Sequence, residues 1–265
     1  MVKWIVFLEK EPSMKLTLPP HKDFKEDIRI IKKSLEDNEY ITISKFCDGE
    51  LAVILNRRIN NKEFWFDPND QTDQQARSLL ISSFKYRNPR YYVGITCTNV
   101  FGLQTHNLMK LISGQPESNL TWADIWVNSN YQYYVDNIIP IFNKHRVILV
   151  CNENGKVDNL PFTPEKIFTV QNNACKYNLT TIEAIKGFIS DNDINNRIFL
   201  FCCGPFGNIL AHRLTEFRDN NTYLDIGSTL NPYLQSEGFK RDYYTGNNAF
   251  ANMIGGWDNS CKIQQ

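Results

Sequence analysis

Two apolar runs in the second half of the chain, at 147–151 and 198–203, followed by a further strand at 223–226, limit what it can fold into. A short run without polar alternation is buried on both faces, which is the state of an inner strand of a parallel sheet. Between the runs the spacing becomes helical: Ile182, Ile185 and Ile189 share one face behind Thr180 and Glu183, and 207–217 continues as a helix from the second run. Residues 166–170 read as a further strand. Strands alternating with helices predict an α/β, single-domain, Rossmann-like sandwich: a largely parallel sheet flanked by helices.

The first half repeats the order. Phe24, Ile28, Ile31 and Leu35 fall on one helix face behind a possible cap at Asp23, and 40–46 reads as a strand. Thr72 and Gln75 read as a capping box for a helix burying Ala76, Leu79, Leu80 and Phe84, with a strand at 91–95. Residues 97–130, interrupted by Gly102, Gly114 and Pro116, read as an irregular insert with a short helix near 108–112, suited to an acceptor loop. Tyr134, Val135, Ile138, Ile139 and Phe142 mark another helix. Residues 1–22 are an N-terminal extension with a strand at 4–8. With no repeat, linker or charge block, one domain over 1–265 is the simplest organisation.

The 29 basic and 29 acidic residues cancel, so no overall field draws the chain to nucleic acid. No stretch approaches the roughly 20 apolar residues that span a bilayer, and 4–8 is too short for a secretory core. The seven cysteines show no C-x-x-C spacing, which indicates neither a zinc site nor a disulfide framework. Cysteines ending apolar runs behave as core thiols, so the expectation is a soluble protein of a reducing, cytoplasmic compartment.

In open α/β sheets ligands gather beyond the carboxyl ends of the strands, and four such ends carry chemistry here. After 40–46, Asp48 and Glu50 flank Gly49. On an extended segment, residues two apart point the same way, so the pair can converge on a hard divalent cation; the tripeptide is also an ordinary turn. After 147–151 come Asn152, Glu153 and Asn154. After 198–203 the turn Gly204-Pro205-Phe206-Gly207 can offer helix-start amides to a phosphate, although it lacks both G-x-G-x-x-G and the P-loop lysine. In the last strand Asp225 is a carboxylate among apolar residues, costly unless it is coordinated or accepts loop amides, and Gly227 and Ser228 follow it. Trp122, Trp126, Tyr131, Tyr133 and Tyr134 suit a core more than a sugar platform, and His106 a structural place.

Taken together, Ser44-Lys45-Phe46-Cys47-Asp48-Gly49-Glu50-Leu51, the strand before Asn152, residues 199–207 and Leu224-Asp225-Ile226-Gly227 resemble the DUF1792 or GT-D-type glycosyltransferase family. The likeness runs from about Tyr40 to Leu234. It implies a metal-dependent glycosyltransferase that moves a sugar from a nucleoside diphosphate, UDP-linked or similar, to a glycan or glycoprotein hydroxyl. It implies that Asp48 and Glu50 hold Mn2+ or Mg2+ and that Asp225 joins them in catalysis. Lys45, Phe46, Asn152, Gly204, Pro205, Phe206 and Ser228 would bind the donor. The chain departs from the family's Arg-Phe-Gly-Asp-Gly-Glu pattern at Lys45 and Cys47, and carries Ser228 where the family usually has His. Lysine keeps the charge of arginine and loses its bidentate fork. Candidates for a general base are Glu50, Asp225, Asp124 and Glu153. Two other functions fit the same residues: an S-adenosylmethionine-dependent methyltransferase using the glycine turn and Asp225, and a non-catalytic carbohydrate-binding protein.

Overall fold

Inner strands without polar alternation come together as a seven-stranded sheet in which every pairing is parallel. The computed structural model describes residues 24–234 and 241–245. In chain order the elements are α1 (Phe24–Glu36), β1 (Thr42–Lys45), α2 (Asp48–Ile54), β2 (Ile59–Asn60), β3 (Trp65–Phe66), α3 (Gln71–Lys85), β4 (Tyr91–Ile95), α4 (Thr98–Ser113) and β5 (Leu120–Trp122). There follow α5 (Tyr131–Tyr133), α6 (Ile139–Phe142), β6 (Val147–Asn152), β7 (Lys166–Val170), α7 (Ala174–Tyr177), α8 (Thr180–Asp191), β8 (Ile198–Cys202), α9 (Phe206–Phe217), β9 (Thr222–Asp225) and α10 (Asn231–Leu234). The large sheet runs β5-β4-β1-β9-β8-β6-β7, and β2 pairs antiparallel with β3 as a separate hairpin. The expected sandwich with a largely parallel sheet is therefore what the chain builds.

Two cores cover the two faces. Because side chains alternate along a strand, Ile148, Val150, Phe199, Phe201 and Tyr223 face one core with Leu51, Leu80, Phe84, Ile185 and Leu210. Val147, Leu149, Leu200 and Leu224 face the other with Ile28, Trp126, Phe142 and Leu230. Polar residues of the inner strands are satisfied within the layers: Thr42 shares a 2.6 Å hydroxyl contact with Thr215 of α9, and Asn208 Nδ2 donates to Ser44 Oγ at 3.1 Å.

Several local expectations change. The cap of α3 is Asp70, whose side chain accepts from Asp73 N at 3.0 Å, and Thr72 lies inside the first turn. The helix expected through 134–142 is interrupted by a π stretch, Tyr134–Ile138. Pro140, in the first turn of α6, has no N–H to continue the ladder. Residues 97–130 are more regular than an insert. They form α4, kinked at Gly102 (φ 80°, ψ 158°), and then add β5 to the sheet edge. That pairing needs Gly94, where a Cβ would stand 2.9 Å from the Trp122 carbonyl oxygen. Cys97 is disulfide-bonded, against the expectation of thiols throughout, whereas Cys47, Cys151, Cys175, Cys202 and Cys203 are free. The extension 1–22 and the cap at Asp23 lie outside the described residues.

Candidate active site

The chain leaves β1 and β8 toward one core, through α2 and α9, and leaves β6 and β9 toward the other, through Phe162 and Leu230. Neighbouring strands whose connections part in this way leave a crevice at their carboxyl ends. Here it is an open cavity of about 980 Å3. Lys45, Asp48 and Glu50 enter it from beyond β1, Asp124 from β5, Asn152, Asn154 and Lys156 from β6, and Gln171, Asn172 and Asn173 from β7. Cys202 through Pro205 come from β8, Asp225, Gly227 and Ser228 from β9, and Arg241 and Tyr243 from the segment 241–245.

Asp48 and Glu50 reach the cavity by a route different from the expected one. They stand in the first turn of α2, not on an extended segment, so the argument that side chains two apart point alike does not apply to them. Glu50 Oε2 accepts the Cys47 N–H at 2.9 Å, closing a capping box over that helix start. Asp48 is exposed at its mouth. Acidic residues in a first helical turn are favoured by the macrodipole, so this placement is locally stable.

Asp225 is buried at the end of β9 and accepts two backbone amides, Lys45 N to Oδ2 and Gly227 N to Oδ1, each at 3.1 Å. Its main-chain oxygen accepts from Trp126 Nε1 at 3.0 Å. Gly207 makes the arrangement possible, because a Cβ there would lie 3.2 Å from Asp225 Oδ1 and from Phe201 Cβ. Gly227, at φ 56°, leaves room for Lys45, since its Cβ would approach Nζ to 3.0 Å. Asn208 Nδ2 holds the Lys45 carbonyl at 2.6 Å.

Four carboxylates and Lys45 thus line this part of the cavity, and Lys45 acts on Asp124 and Asp225. Burial raises Glu50 from 4.5 to about 7, with Asp225 and Asp48 adding to the rise and the Cys47 amide opposing it. Burial likewise lifts Asp124 to about 6, opposed by the Lys45 ammonium. Asp225 moves up for the same reason, opposed by Lys45 and by its two backbone amides. The thiols of Cys47, Cys202 and Cys203 are pushed well up by burial.

This donor set suits a divalent cation that completes its shell from a ligand. Among the described residues no three His, Cys, Asp or Glu side chains form a cage by themselves. Mg2+ characteristically takes one or two carboxylates and fills the rest with phosphate oxygens and water. Asp48, exposed where it lines the cavity, and Glu50 in the same helical turn supply such carboxylates.

Two of the expected donor-binding residues do not reach the cavity. Phe46 is fully buried and packs on Phe84 with ring centroids 4.5 Å apart, and the Phe206 side chain is equally buried in the same core. The strand alternation that brings Lys45 to the crevice turns Phe46 away from it. Gly204 and Pro205 do line the cavity, yet the phosphate cradle expected of their turn is thinner: Pro205 has no N–H, and Gly207 N is already bonded to the Gly204 carbonyl at 2.9 Å. Ser228 lines it too, with Oγ 2.9 Å from the Tyr243 hydroxyl. Glu153 is exposed and is not among the lining residues. Trp122, Trp126, Tyr131 and Tyr134 are core, as is His106, whose Nδ1 contacts the Thr96 carbonyl at 2.8 Å.

Sequence reasoning missed Lys156, Asn172, Asn173 and Arg241. The first three follow β6 and β7 and obey the strand-end rule that found Asp48. Arg241, 3.6 Å from Glu63 across the rim, comes from a segment with no pattern to announce it.

No known family model matches the sequence, and no curated protein matches it. Solved structures do. One, described as the highly conserved domain of unknown function 1792 with a distinct glycosyltransferase fold, superposes with a TM-score of 0.54 at 15% identity over 90% of both chains. A selenomethionine-substituted structure of the same domain gives 0.54 at 16% identity over 90% of both chains. A new glycosyltransferase (DUF1792) from Streptococcus sanguinis gives 0.53 at 16% identity, over 94% of this chain and 96% of that one. The chain therefore has an α/β fold similar to the one described for DUF1792 as a distinct glycosyltransferase fold.

Proposed function

We propose that this chain is a metal-dependent glycosyltransferase, transferring a sugar from a nucleoside-diphosphate donor, UDP-linked in our reading, to a hydroxyl of a glycan or glycoconjugate. The observation that carries the reading is that Asp48, Glu50, Asp124, Asp225 and Lys45 line one cavity at the carboxyl ends of β1, β5 and β9, a cavity large enough for a nucleotide sugar. The likeness to structures described as glycosyltransferases supports it, fold by itself leaving function open.

Each residue has a part in that reading. Asp48 and Glu50 hold Mn2+ or Mg2+, and the ion, when bound, neutralises charge on the departing diphosphate. Lys45 stands beside Gly227 as a fixed cation for the same phosphates, with its backbone held by Asp225 and Asn208. Asp225 ties the end of β1 to the end of β9 through the Lys45 amide and holds the turn after β9 through the Gly227 amide. Asn152 Nδ2 donates to Asn172 Oδ1 at 2.8 Å and its Oδ1 accepts from Asn154, which leaves one N–H for a sugar or nucleoside hydroxyl. Ser228, steadied by Tyr243, faces the same space.

The test is donor hydrolysis with and without Mn2+ in the unmodified chain, Asp48→Asn and Glu50→Gln. The expected result is metal-dependent release of UDP that falls at least about 100-fold in either variant, in line with loss of transition-state charge stabilisation. Full activity in both variants would remove the reading. Thermal stabilisation by S-adenosylmethionine alone, and not by UDP with Mn2+, would establish the methyltransferase alternative instead.

A further inference from the structure

Transfer to a hydroxyl leaves a proton to be accepted, and the structure separates the four carboxylates that the sequence offers for it. Glu153 is exposed and outside the cavity lining. Asp225 has a backbone amide on each oxygen. Glu50 is folded back on the Cys47 N–H and stands where the cation is placed. Asp124 differs from all three. It lines the cavity from the end of the edge strand β5, is 6% exposed, and its Oδ2 is buried without a hydrogen-bond partner.

A buried carboxylate oxygen with no donor costs stability, and a catalytic role is one of the reasons a native protein keeps such a group. Asp124 lines the cavity, so its carboxylate is the one of the four that is placed to meet an entering hydroxyl without two backbone amides on it. On the glycosyltransferase reading of this same cavity, we infer that Asp124 is the general base that removes the proton of the acceptor hydroxyl.

The step balances within the named groups. The acceptor oxygen bonds to the anomeric carbon as the bond from that carbon to the phosphate oxygen breaks. The electron pair of the broken bond leaves with the diphosphate, the hydroxyl proton ends on Asp124, and the anomeric configuration inverts. Lys45 serves both ends of the transfer: its ammonium opposes the rise of Asp124 and so keeps it a carboxylate ready for the proton. Burial meanwhile makes that carboxylate more basic than one in water, with a pKa of about 6.

The experiment uses the full chain with Mn2+ and UDP-glucose, UDP-galactose or UDP-N-acetylglucosamine, with water as acceptor, and calorimetry of UDP with Mn2+ as the binding control. Asp124→Asn should lower hydrolysis by about 10^2–10^4-fold, the usual weight of a general base, with UDP–Mn2+ affinity retained. Asp124→Ala should regain turnover when azide is added, forming a glycosyl azide of inverted configuration, since azide brings no proton to remove. A purely structural Asp124 would not respond to azide. Wild-type hydrolysis rates in Asp124→Asn, failure of azide to rescue an Asp124→Ala protein that still binds UDP–Mn2+, or loss of that binding in both variants would each overturn the assignment and leave the glycosyltransferase reading standing. An unmodified chain that neither binds UDP–Mn2+ nor hydrolyses any donor would remove that reading, and the base with it.

Discussion

Glu50→Gln in the metal-free protein should raise stability at neutral pH, because the wild-type carboxylate is held there at a cost. Its pKa rises from 4.5 to about 7, chiefly through burial. A folded-state pKa above the unfolded one means that the native protein keeps a proton which the unfolded chain has released. The contribution of Glu50 to stability is therefore highest below pH 4.5, falls as pH climbs through the window from 4.5 to 7, and is level above it. The shift, at about 1.4 kcal/mol per pH unit, amounts to about 3 kcal/mol. Glutamine has the shape of the protonated acid, and its carbonyl oxygen can accept the Cys47 N–H that Glu50 now accepts. The variant should match wild type near pH 4.5 and exceed it by about 3 kcal/mol at pH 8, or roughly 6–12 °C in Tm for a chain of this size. Urea denaturation from pH 4.5 to 8 with EDTA present measures the difference directly. A wild-type-to-variant gap that does not change with pH, or a variant less stable at pH 8, would refute the burial argument. Adding Mn2+ with UDP should stabilise wild type and close the gap, since only the carboxylate gains an ion.

Other expectations follow from geometry. Gly207→Ala puts a Cβ 3.2 Å from both Asp225 Oδ1 and Phe201 Cβ, so it should cost about 1–3 kcal/mol by overpacking and weaken UDP–Mn2+ binding, read by calorimetry. Phe46→Ala should cost about 3–5 kcal/mol in urea denaturation, as a core residue and not a donor contact. Gly94→Ala meets the Trp122 carbonyl at 2.9 Å and should loosen β5 from β4, seen as faster amide exchange at 120–124 than elsewhere in the sheet.

The strands were legible because inner strands of a parallel sheet must be apolar throughout. The runs at 147–151 and 198–203 became β6 and β8 with a one-residue change at one end and 91–95 became β4, while 166–170 became β7 at the opposite edge of the sheet from β5. Boundaries that depend on a single polar side chain were less legible. Both Asp70 and Thr72 can cap a helix, and only the chain's path out of the β2–β3 hairpin selects Asp70. The edge strand β5 was hidden because Leu120-Thr121-Trp122 is short, and its pairing depends on Gly94, about 27 residues earlier, coming close to it.

The sequence by itself determined the layer architecture and the end of the sheet where polar groups collect. Both follow from local rules: side-chain period, apolar run length, and the turns that must succeed each strand. Only the tertiary structure decided the site. Asp48 and Asp124 are brought to one cavity by the order β5-β4-β1-β9, a non-local arrangement that no window of sequence contains. Their environments are set there too. Asp225 ends with an amide on each oxygen while Asp124 Oδ2 ends with none, a difference between two carboxylates that arises from what surrounds them in the fold.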